Sequence, residues 1–298
     1  MNYSTISFPG LGIEINPIRE FTIGNFTVHF YGLIIALGVL LAATYAKRRR
    51  EQFGLTEDNL LDGLLWILPV AVICARIYYC AFEWDSYKNN PISILYVWEG
   101  GLAIYGGVIG AVVGIFVFCK IKKLNPFSVL DIVALGFLIG QSMGRWGNFF
   151  NREAFGGVTD SFLRMGLYNT VTGVVEYHHP TFLYESLWNM TGFIALHFLS
   201  KKRQYDGQIA LGYVAWYGLG RAWIEGLRTD SLWWGPFRVS QMLAAISCIA
   251  AVIILVVQAF RPHDRSKLLC NQVKATEAEK VEKALENAQD TPKKDSES

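Results

Sequence analysis

The sequence predicts an all-α polytopic membrane protein with seven transmembrane helices, an external N-terminus and a cytoplasmic C-terminus. The chain of 298 residues is 52% hydrophobic and only 17% charged, whereas soluble domains carry about 25% charged residues. Its net charge of +2 gives no electrostatic support to nucleic-acid binding, which needs dense positive charge. We therefore expect a membrane protein that has no nucleic-acid partner.

Seven apolar segments are long enough to cross a bilayer, which requires about 20 apolar residues per helix. The segment that follows them is rich in Lys, Glu, Ala and Asp, which predicts a loosely ordered, partly helical tail in the cytoplasm. The expected division is therefore a transmembrane domain over 1–262 and a polar tail over 263–298. The seven spans are about 28–46, 61–82, 102–120, 128–150, 181–200, 208–226 and 239–260.

Basic clusters follow the first, third, fifth and seventh spans. With seven spans all four clusters fall on one side of the membrane, which the positive-inside rule identifies as the cytoplasm. The external side then includes a small head segment over about 152–180, where β-type residues around Asn169 and Gly173 predict a hairpin or cap. The clusters are Lys47–Arg50, Lys120–Lys123, Lys201–Arg203 and Arg261–Arg265.

The stretch GRWGNFFNREAFGG at 144–157 ends the fourth span. Charged side chains in or beside a span are rare and usually mark a function. The interleaved glycines allow backbone and guanidinium groups to approach a ligand closely. Arg145 and Arg228 fall at outer ends of spans with few obvious acidic partners, so we expect them to hold an anion such as a lipid head group. Snorkelling towards the outer head groups is the alternative.

Several polar residues in the spans have structural explanations. Arg221 and Glu225 are four residues apart on one helix face, which predicts an ion pair. Arg76 could pair with Glu99 or Glu185 between helices. Arg76 and Glu99 are therefore candidates for structure as well as for substrate binding.

The third span begins with glycines spaced every four residues, Gly106, Gly110 and Gly114. Such spacing permits close helix packing in lipid, but it does not account for Tyr105, whose phenol would face the space between helices. Asp131, near the inner end of the fourth span, is expected to cap a helix.

Together these motifs resemble the bacterial phosphatidylglycerol–prolipoprotein diacylglyceryl transferase family. Residues 144–157 are similar to its signature, and the resemblance covers about residues 8–260, with the motifs in family order. The other matching segments are HFYG at 29–32, ARIYY at 75–79, WEGG at 98–101, HPTFLYE at 179–185 and EGLR at 225–228.

The resemblance implies an enzyme of the bacterial plasma membrane whose active site faces outward. Such a transferase moves the sn-1,2-diacylglyceryl group of phosphatidylglycerol, a membrane lipid, to the lipobox cysteine of a prolipoprotein signal peptide. A thioether forms and glycerol 1-phosphate leaves, in the first step of lipoprotein maturation. No cofactor or metal is expected, because the phosphodiester is already an activated leaving group. A lipid or anion transporter is the alternative, since it would also have a polar cavity.

The resemblance also implies roles for individual residues. Arg145 and Arg228 correspond to essential arginines near the lipid phosphate. Tyr31 is otherwise typical of an aromatic belt at the membrane interface, but it matches the family's site region. The residues expected to bind substrate are Arg145, Asn148, Glu153, Gly156, Tyr31, Arg76 and Glu99.

Tyr105 departs from the best-known family pattern, which has a histidine proposed to activate the cysteine. Family members that have tyrosine at this position resemble the members found in Gram-positive bacteria. A phenol is a poor base at neutral pH, since its ordinary pKa is about 10. Either neighbouring arginines activate the phenol, or the base is another group, or the thiol needs little help. We assign Tyr105 a catalytic role as a positioning group or proton donor.

Overall fold

The computed structural model describes residues 3–24, 26–97, 100–229 and 233–289, which are mostly helical. The α-helices are α1 (Phe30–Arg49), α2 (Glu57–Phe82), α3 (Trp84–Tyr87), α4 (Ile104–Lys122), α5 (Pro126–Asn151), α6 (Thr181–Ser200), α7 (Gln208–Ile224), α8 (Val239–Ala259) and α9 (Leu269–Gln289). The strands are β1 (Tyr3–Phe8), β2 (Ile13–Ile15), β3 (Glu20–Ile23), β4 (Phe26–His29), β5 (Met165–Asn169), β6 (Val175–His178), β7 (Trp233–Trp234) and β8 (Phe237–Arg238).

In the described part of the chain, five helices are long and apolar enough to cross a membrane: α1 with its extension to Phe53, α2, α4, α5 and α8. They identify a polytopic membrane protein. The segments predicted as the fifth and sixth spans do form helices, α6 and α7. However, α7 has only 17 residues, slightly fewer than the roughly 20 that a bilayer requires. Whether α6 and α7 cross the membrane stays a prediction.

The expectation of an all-α fold is incomplete, because the chain also forms short strands. Four of them make an antiparallel sheet in the order β2-β1-β5-β6. Ile6 and Phe8 alternate along β1 and pack in a buried cluster with Phe149, Leu167 and Phe182. Alternation of this kind favours a sheet with one buried face. A search for long apolar runs does not detect so short a strand.

The hairpin predicted within 152–180 is confirmed by the pairing of β5 with β6, from Met165 opposite His178 to Tyr168 opposite Val175. The turn begins at Asn169, whose side chain accepts hydrogen bonds from the backbone N–H groups of Val171 and Thr172. Because of this turn, Val171 and Thr172 lie between the strands and not within them.

The chain forms two compact units. The first contains Met1–Ala46, Asp131–Arg203 and Gly207–Pro262, and the second contains Lys47–Leu130, Gln204–Asp206 and His263–Ser298. In the second unit, α9 confirms that the polar tail is partly helical. The division of the chain at residue 262 into a membrane domain and a tail stays a prediction.

Within the second unit, α2 and α4 pack closely at the predicted glycines. A Cβ atom on Gly106 would lie 2.5 Å from the carbonyl oxygen of Cys74, and one on Gly110 would lie 2.5 Å from the Cβ of Cys74. Real Cβ atoms do not approach other atoms so closely, so only glycine permits this packing. The small-residue interpretation of the third span is therefore confirmed for α2 and α4.

Within the first unit, Asp131 holds the start of α7. Its fully buried carboxylate accepts hydrogen bonds from the backbone N–H groups of Gly207 at 2.9 Å, Ile209 at 2.9 Å and Ala210 at 2.8 Å. A carboxylate is stabilised at a helix N-terminus by the unpaired N–H groups and by the helix dipole. The predicted capping role of Asp131 is confirmed.

A reciprocal tryptophan pair joins α6 to α7. The indole N–H of Trp188 donates to the carbonyl of Trp216 at 2.9 Å, that of Trp216 donates to the carbonyl of Trp188 at 2.9 Å, and the rings stack at 4.6 Å. Each ring lies over a glycine of the facing helix, Trp216 over Gly192 and Trp188 over Gly220. The pair therefore sets the separation of the two helices.

Substitution Gly192→Ala should destabilise the protein by about 1–3 kcal/mol, the usual cost of overpacking. The new Cβ atom would lie 2.3 Å from the indole nitrogen of Trp216, so the ring must move and lose its hydrogen bond. Thermal unfolding in detergent should show a lowered Tm. The matched control is Gly140→Ala in α5, where a Cβ atom meets nothing within 4 Å. An equal fall of Tm in both variants would contradict the role of the Trp188–Trp216 pair in setting the separation of α6 and α7.

Candidate functional site

Glu185 on α6 is the centre of an arginine cluster in the first unit. Its side chain is only 4% exposed, and its Oε2 lies 2.8 Å from Nε of Arg145. Its Oε1 lies 3.0 Å from Nη1 of Arg221 and 3.5 Å from Nη1 of Arg228. The sequence offered Arg145 and Arg228 few obvious acidic partners, but Glu185 supplies one carboxylate to both. Contact with α6 also argues against snorkelling of Arg145.

Glu225 is the second buried carboxylate of the cluster, with its side chain 2% exposed. Its Oε2 lies 2.6 Å from Nη2 of Arg221, which confirms the predicted ion pair, and 3.8 Å from Nε of Arg228. Three arginines thus share two carboxylates, Glu185 and Glu225. The cluster therefore brings three guanidinium groups close together, and such planar, forked donors suit an anionic ligand.

The outer end of α5 brings Arg145, Asn148 and Glu153 together. Nη1 of Arg145 donates to Oδ1 of Asn148 at 3.3 Å, and Nδ2 of Asn148 donates to Oε1 of Glu153 at 2.9 Å. Asn151 also donates to this oxygen, at 3.2 Å. Hydrogen bonds therefore link three of the residues expected to bind substrate into one chain, which orients the Arg145 guanidinium.

A strained turn follows α5 and positions Glu153. Arg152 has a φ of 56° and Ala154 a φ of 59°, so two residues with side chains take the left-handed conformation, at about 1–3 kcal/mol each. The buried Arg152 side chain compensates, since it donates to the Ser4 carbonyl at 2.5 Å and to Asn16 at 2.6 Å. Arg152 therefore ties the N-terminal segment to the turn.

Gly156 connects this turn to Arg228. The two residues form an isolated antiparallel bridge, and the N–H of Gly157 donates to the carbonyl of Leu227 at 2.7 Å. A Cβ atom on Gly156 would lie 2.7 Å from the Cβ of His179 and 2.8 Å from the Leu227 carbonyl oxygen. Only glycine fits, so the predicted site residue Gly156 acts through the backbone that carries Arg228.

Tyr31 lies against the same helix as Arg145. A Cβ atom on Gly147 would lie 2.6 Å from Cδ2 of the Tyr31 ring, so the absence of a side chain at Gly147 makes room for the phenol. The Tyr31 ring therefore packs against Gly147, the residue before Asn148. Tyr31 lies in the same unit as the predicted site residues Arg145 and Asn148.

Arg76 and Tyr105 belong to the second unit, and Glu99 lies outside the described residues. Among the described residues, the partners of Arg76 are backbone carbonyls and not Glu185. Its guanidinium also lies 5.2 Å from the ring centroid of Tyr87. This arrangement accounts for a buried arginine as an anchor of the segment before α4, and its role in substrate binding stays a prediction. The carbonyls belong to Ser93, Ile94, Tyr96, Gly100 and Gly101.

Comparison with known proteins decides the family. Residues 19–257 match the family model of prolipoprotein diacylglyceryl transferase. The chain belongs to this family.

Curated relatives carry the family's name in full, phosphatidylglycerol–prolipoprotein diacylglyceryl transferase. The protein of Limosilactobacillus reuteri (strain DSM 20016) is 44% identical over 257 residues, which cover 84% of this chain and 93% of the relative. That of Listeria monocytogenes serotype 4a (strain HCC23) is 42% identical over 254 residues, covering 83% and 91%. That of Bacillus cytotoxicus is 44% identical over 245 residues, covering 79% and 90%.

Arg221, Glu185 and Glu225 were not among the residues predicted for the transferase site. The sequence predicted an ion pair of Arg221 with Glu225, but Arg221 also donates to Glu185 at 3.0 Å. One signal in the sequence could have found the two glutamates: both lie inside predicted spans, where charged side chains are rare and usually mark a function. The arginine cluster of this chain therefore includes a carboxylate framework, Glu185 and Glu225.

Substitution Glu185→Gln should lower the free energy of unfolding by about 3 kcal/mol, since breaking a buried ion pair leaves charge uncompensated. Thermal unfolding should show the loss as a lower Tm. The matched control is Glu57→Gln, which removes an exposed carboxylate paired with Lys47 at 2.5 Å. Exposed pairs contribute little, so the control should keep the wild-type Tm. Equal Tm values for all three proteins would contradict the central role of Glu185.

Proposed function

We propose that this protein transfers the sn-1,2-diacylglyceryl group of phosphatidylglycerol to the lipobox cysteine of prolipoproteins, the first step of bacterial lipoprotein maturation. The observation that carries the proposal is the cluster in which Arg145, Arg221 and Arg228 share the buried carboxylates of Glu185 and Glu225. Its converging guanidinium groups suit a lipid phosphate. Family membership and the name shared by its relatives support the same activity.

The membrane in question is the plasma membrane, with seven spans, an external N-terminus and a cytoplasmic C-terminus. The four basic clusters that follow alternate spans support this orientation. In this topology the end of α5, with the cluster and the strained turn, faces the outer side. Phosphatidylglycerol enters between helices from the bilayer, and the prolipoprotein signal peptide arrives from the outer-leaflet side.

The chemical step is displacement at the sp³ carbon of the diacylglyceryl group. The cysteine sulfur forms a bond to that carbon, the carbon–oxygen bond to phosphate breaks, and the thiol proton is released. The phosphate carries one negative charge in the diester and gains a second as glycerol 1-phosphate departs. Arg145 and Arg228 hold the phosphate oxygens with forked hydrogen bonds, which strengthen as that charge develops.

The other predicted residues support this step. Asn148 and Glu153 orient Arg145. The backbone of Gly156 pairs with that of Arg228, and Tyr31 of α1 packs against α5 at Gly147. Arg76 and Glu99 act at the substrate through the segment before α4. The hydrogen bonds of Arg145 and Arg76 support these roles in substrate binding.

Tyr105 acts as a positioning group or proton donor and not as a strong base. A free cysteine has a pKa of about 8.5, so a few per cent of the thiol is ionised at neutral pH without any base. The greater part of catalysis then comes from stabilising the leaving phosphate. Because activation of the thiol contributes less than stabilisation of the phosphate, a tyrosine is sufficient where the family resemblance implies a histidine in other members.

A lipid or anion transporter is the second candidate, because it too would require buried arginines. Purified protein should be incubated with labelled phosphatidylglycerol and a lipobox peptide, and also reconstituted in liposomes. We expect thioether-linked peptide and glycerol 1-phosphate. Lipid flux across the liposomes without thioether product would replace the transferase by the transporter.

Arg145→Lys should reduce kcat by about 10²–10³-fold, the usual cost of losing a preorganised hydrogen-bond donor at developing charge. Lysine keeps the charge but loses the fork. Tyr105→Phe should cost much less, because the phenol is not the main source of catalysis. Both variants are compared in the thioether assay at matched thermal stability. A dead Tyr105→Phe beside a near-normal Arg145→Lys would reverse these assignments.

A further inference from the structure

His178, the last residue of β6, has no part in the chemistry proposed above, yet its side chain is only 8% exposed. Its ring packs on Phe155 with 4.5 Å between ring centroids. A buried polar side chain usually finds hydrogen-bond partners. The partners of His178 lead directly to the turn that carries Gly156.

The two ring nitrogens of His178 have different partners. Nδ1 lies 2.9 Å from the carbonyl oxygen of Gly156, and because a carbonyl can only accept, Nδ1 carries a proton and donates. Nε2 lies 3.4 Å from Oε2 of Glu176, to which it donates when it also carries a proton. Hydrogen bonds from Asn169 and then His178 lower the pKa of Glu176, so a carboxylate faces this side of the ring. Glu176 thereby fixes the direction in which Nδ1 points.

The Gly156 carbonyl belongs to the same peptide unit as the Gly157 N–H, which donates to the Leu227 carbonyl. Gly156 is bridged to Arg228, its own N–H donates to the His179 carbonyl at 2.9 Å, and the N–H of Gly157 donates to Leu227 at 2.7 Å. The plane of the Gly156–Gly157 peptide thus determines both the hydrogen bond to His178 and the one to Leu227. A rotation of this peptide would move the backbone that presents Arg228.

We propose that His178 is a positioning residue for Arg228, acting through the Nδ1–H hydrogen bond to the Gly156 carbonyl. The inference rests on the proposed function, because it assigns Arg228 to the departing phosphate. His178 itself does not touch the lipid. Its loss displaces the Arg228 guanidinium by a small distance, which weakens stabilisation of the charge that develops during the reaction.

Replacing His178 by asparagine and by glutamine tests which of its two ring nitrogens makes the hydrogen bond that matters for Arg228. His178→Asn places an amide N–H near the position of Nδ1, and His178→Gln places one near the position of Nε2. Both variants put a neutral amide at the same buried site. We expect His178→Asn to keep kcat within about twofold of wild type and His178→Gln to lose about 10-fold, consistent with the loss of one buried hydrogen bond. KM for phosphatidylglycerol should change little in either.

The control is Tyr3→Phe, which removes the 3.3 Å hydrogen bond from the Tyr3 hydroxyl to Glu176 but leaves His178 and Gly156 in place. It should keep the wild-type kcat. Thermal unfolding of all variants shows whether each is folded. A merely structural His178 would give equal losses in Asn and Gln, or losses that follow Tm, and either result overturns the inference.

A double-mutant cycle isolates the coupling to Arg228. If His178 acts through Arg228, adding His178→Gln to Arg228→Lys should cost less than 10-fold, because the misplaced guanidinium is already lost. Independent, multiplicative losses in kcat would overturn the inference. Wild-type protein that forms no thioether would refute the proposed function itself, a result distinct from active wild type with unaffected His178→Gln.

Discussion

The burial of one carboxylate, Glu185, determines the arrangement of the arginine cluster. A buried charge is costly unless it is paired and hydrogen-bonded, and Glu185 finds its partners on three separate segments, at Arg145, Arg221 and Arg228. These segments must therefore approach α6 at the same residue, Glu185. The stacked indoles of Trp188 and Trp216 hold α6 and α7 at the separation that this meeting needs. Packing and electrostatics thus specify the same geometry.

The convergence of guanidinium groups gives the cluster its proposed function. Two buried carboxylates keep three guanidinium groups close together despite their repulsion. In the proposed reaction a phosphodiester brings one negative charge to these groups, and the departing phosphate gains a second as the carbon–oxygen bond breaks. The interaction is therefore stronger in the transition state than in the substrate complex, which is the condition for catalysis. The strained turn at Arg152 and Ala154 holds one edge of this arrangement rigid.

Spacing along the sequence predicted two features of single helices. Arg221 and Glu225 lie four residues apart and form the expected ion pair, and Gly106, Gly110 and Gly114 recur at helical intervals. Glu185, in contrast, is 40 residues from Arg145 in the sequence, and no periodicity connects them. The contact depends on how helices pack, which is set by features such as the tryptophan pair. The strand β1 was also missed, since six residues of alternating pattern are a weak signal beside long apolar spans.

The proposed role of Tyr105, which is not that of a strong base, follows from the same stabilisation of the leaving phosphate. A base can raise the thiolate fraction only from a few per cent towards unity, which limits its contribution to about 10²-fold or less. Stabilising the second negative charge of the leaving phosphate has no such ceiling, and it requires planar, permanently charged donors. In the proposed mechanism a phenol near the thiol is therefore sufficient. The arginines proposed to hold the phosphate cannot be replaced as easily, because Arg145 and Arg228 are partners of a buried carboxylate as well as proposed donors to the substrate.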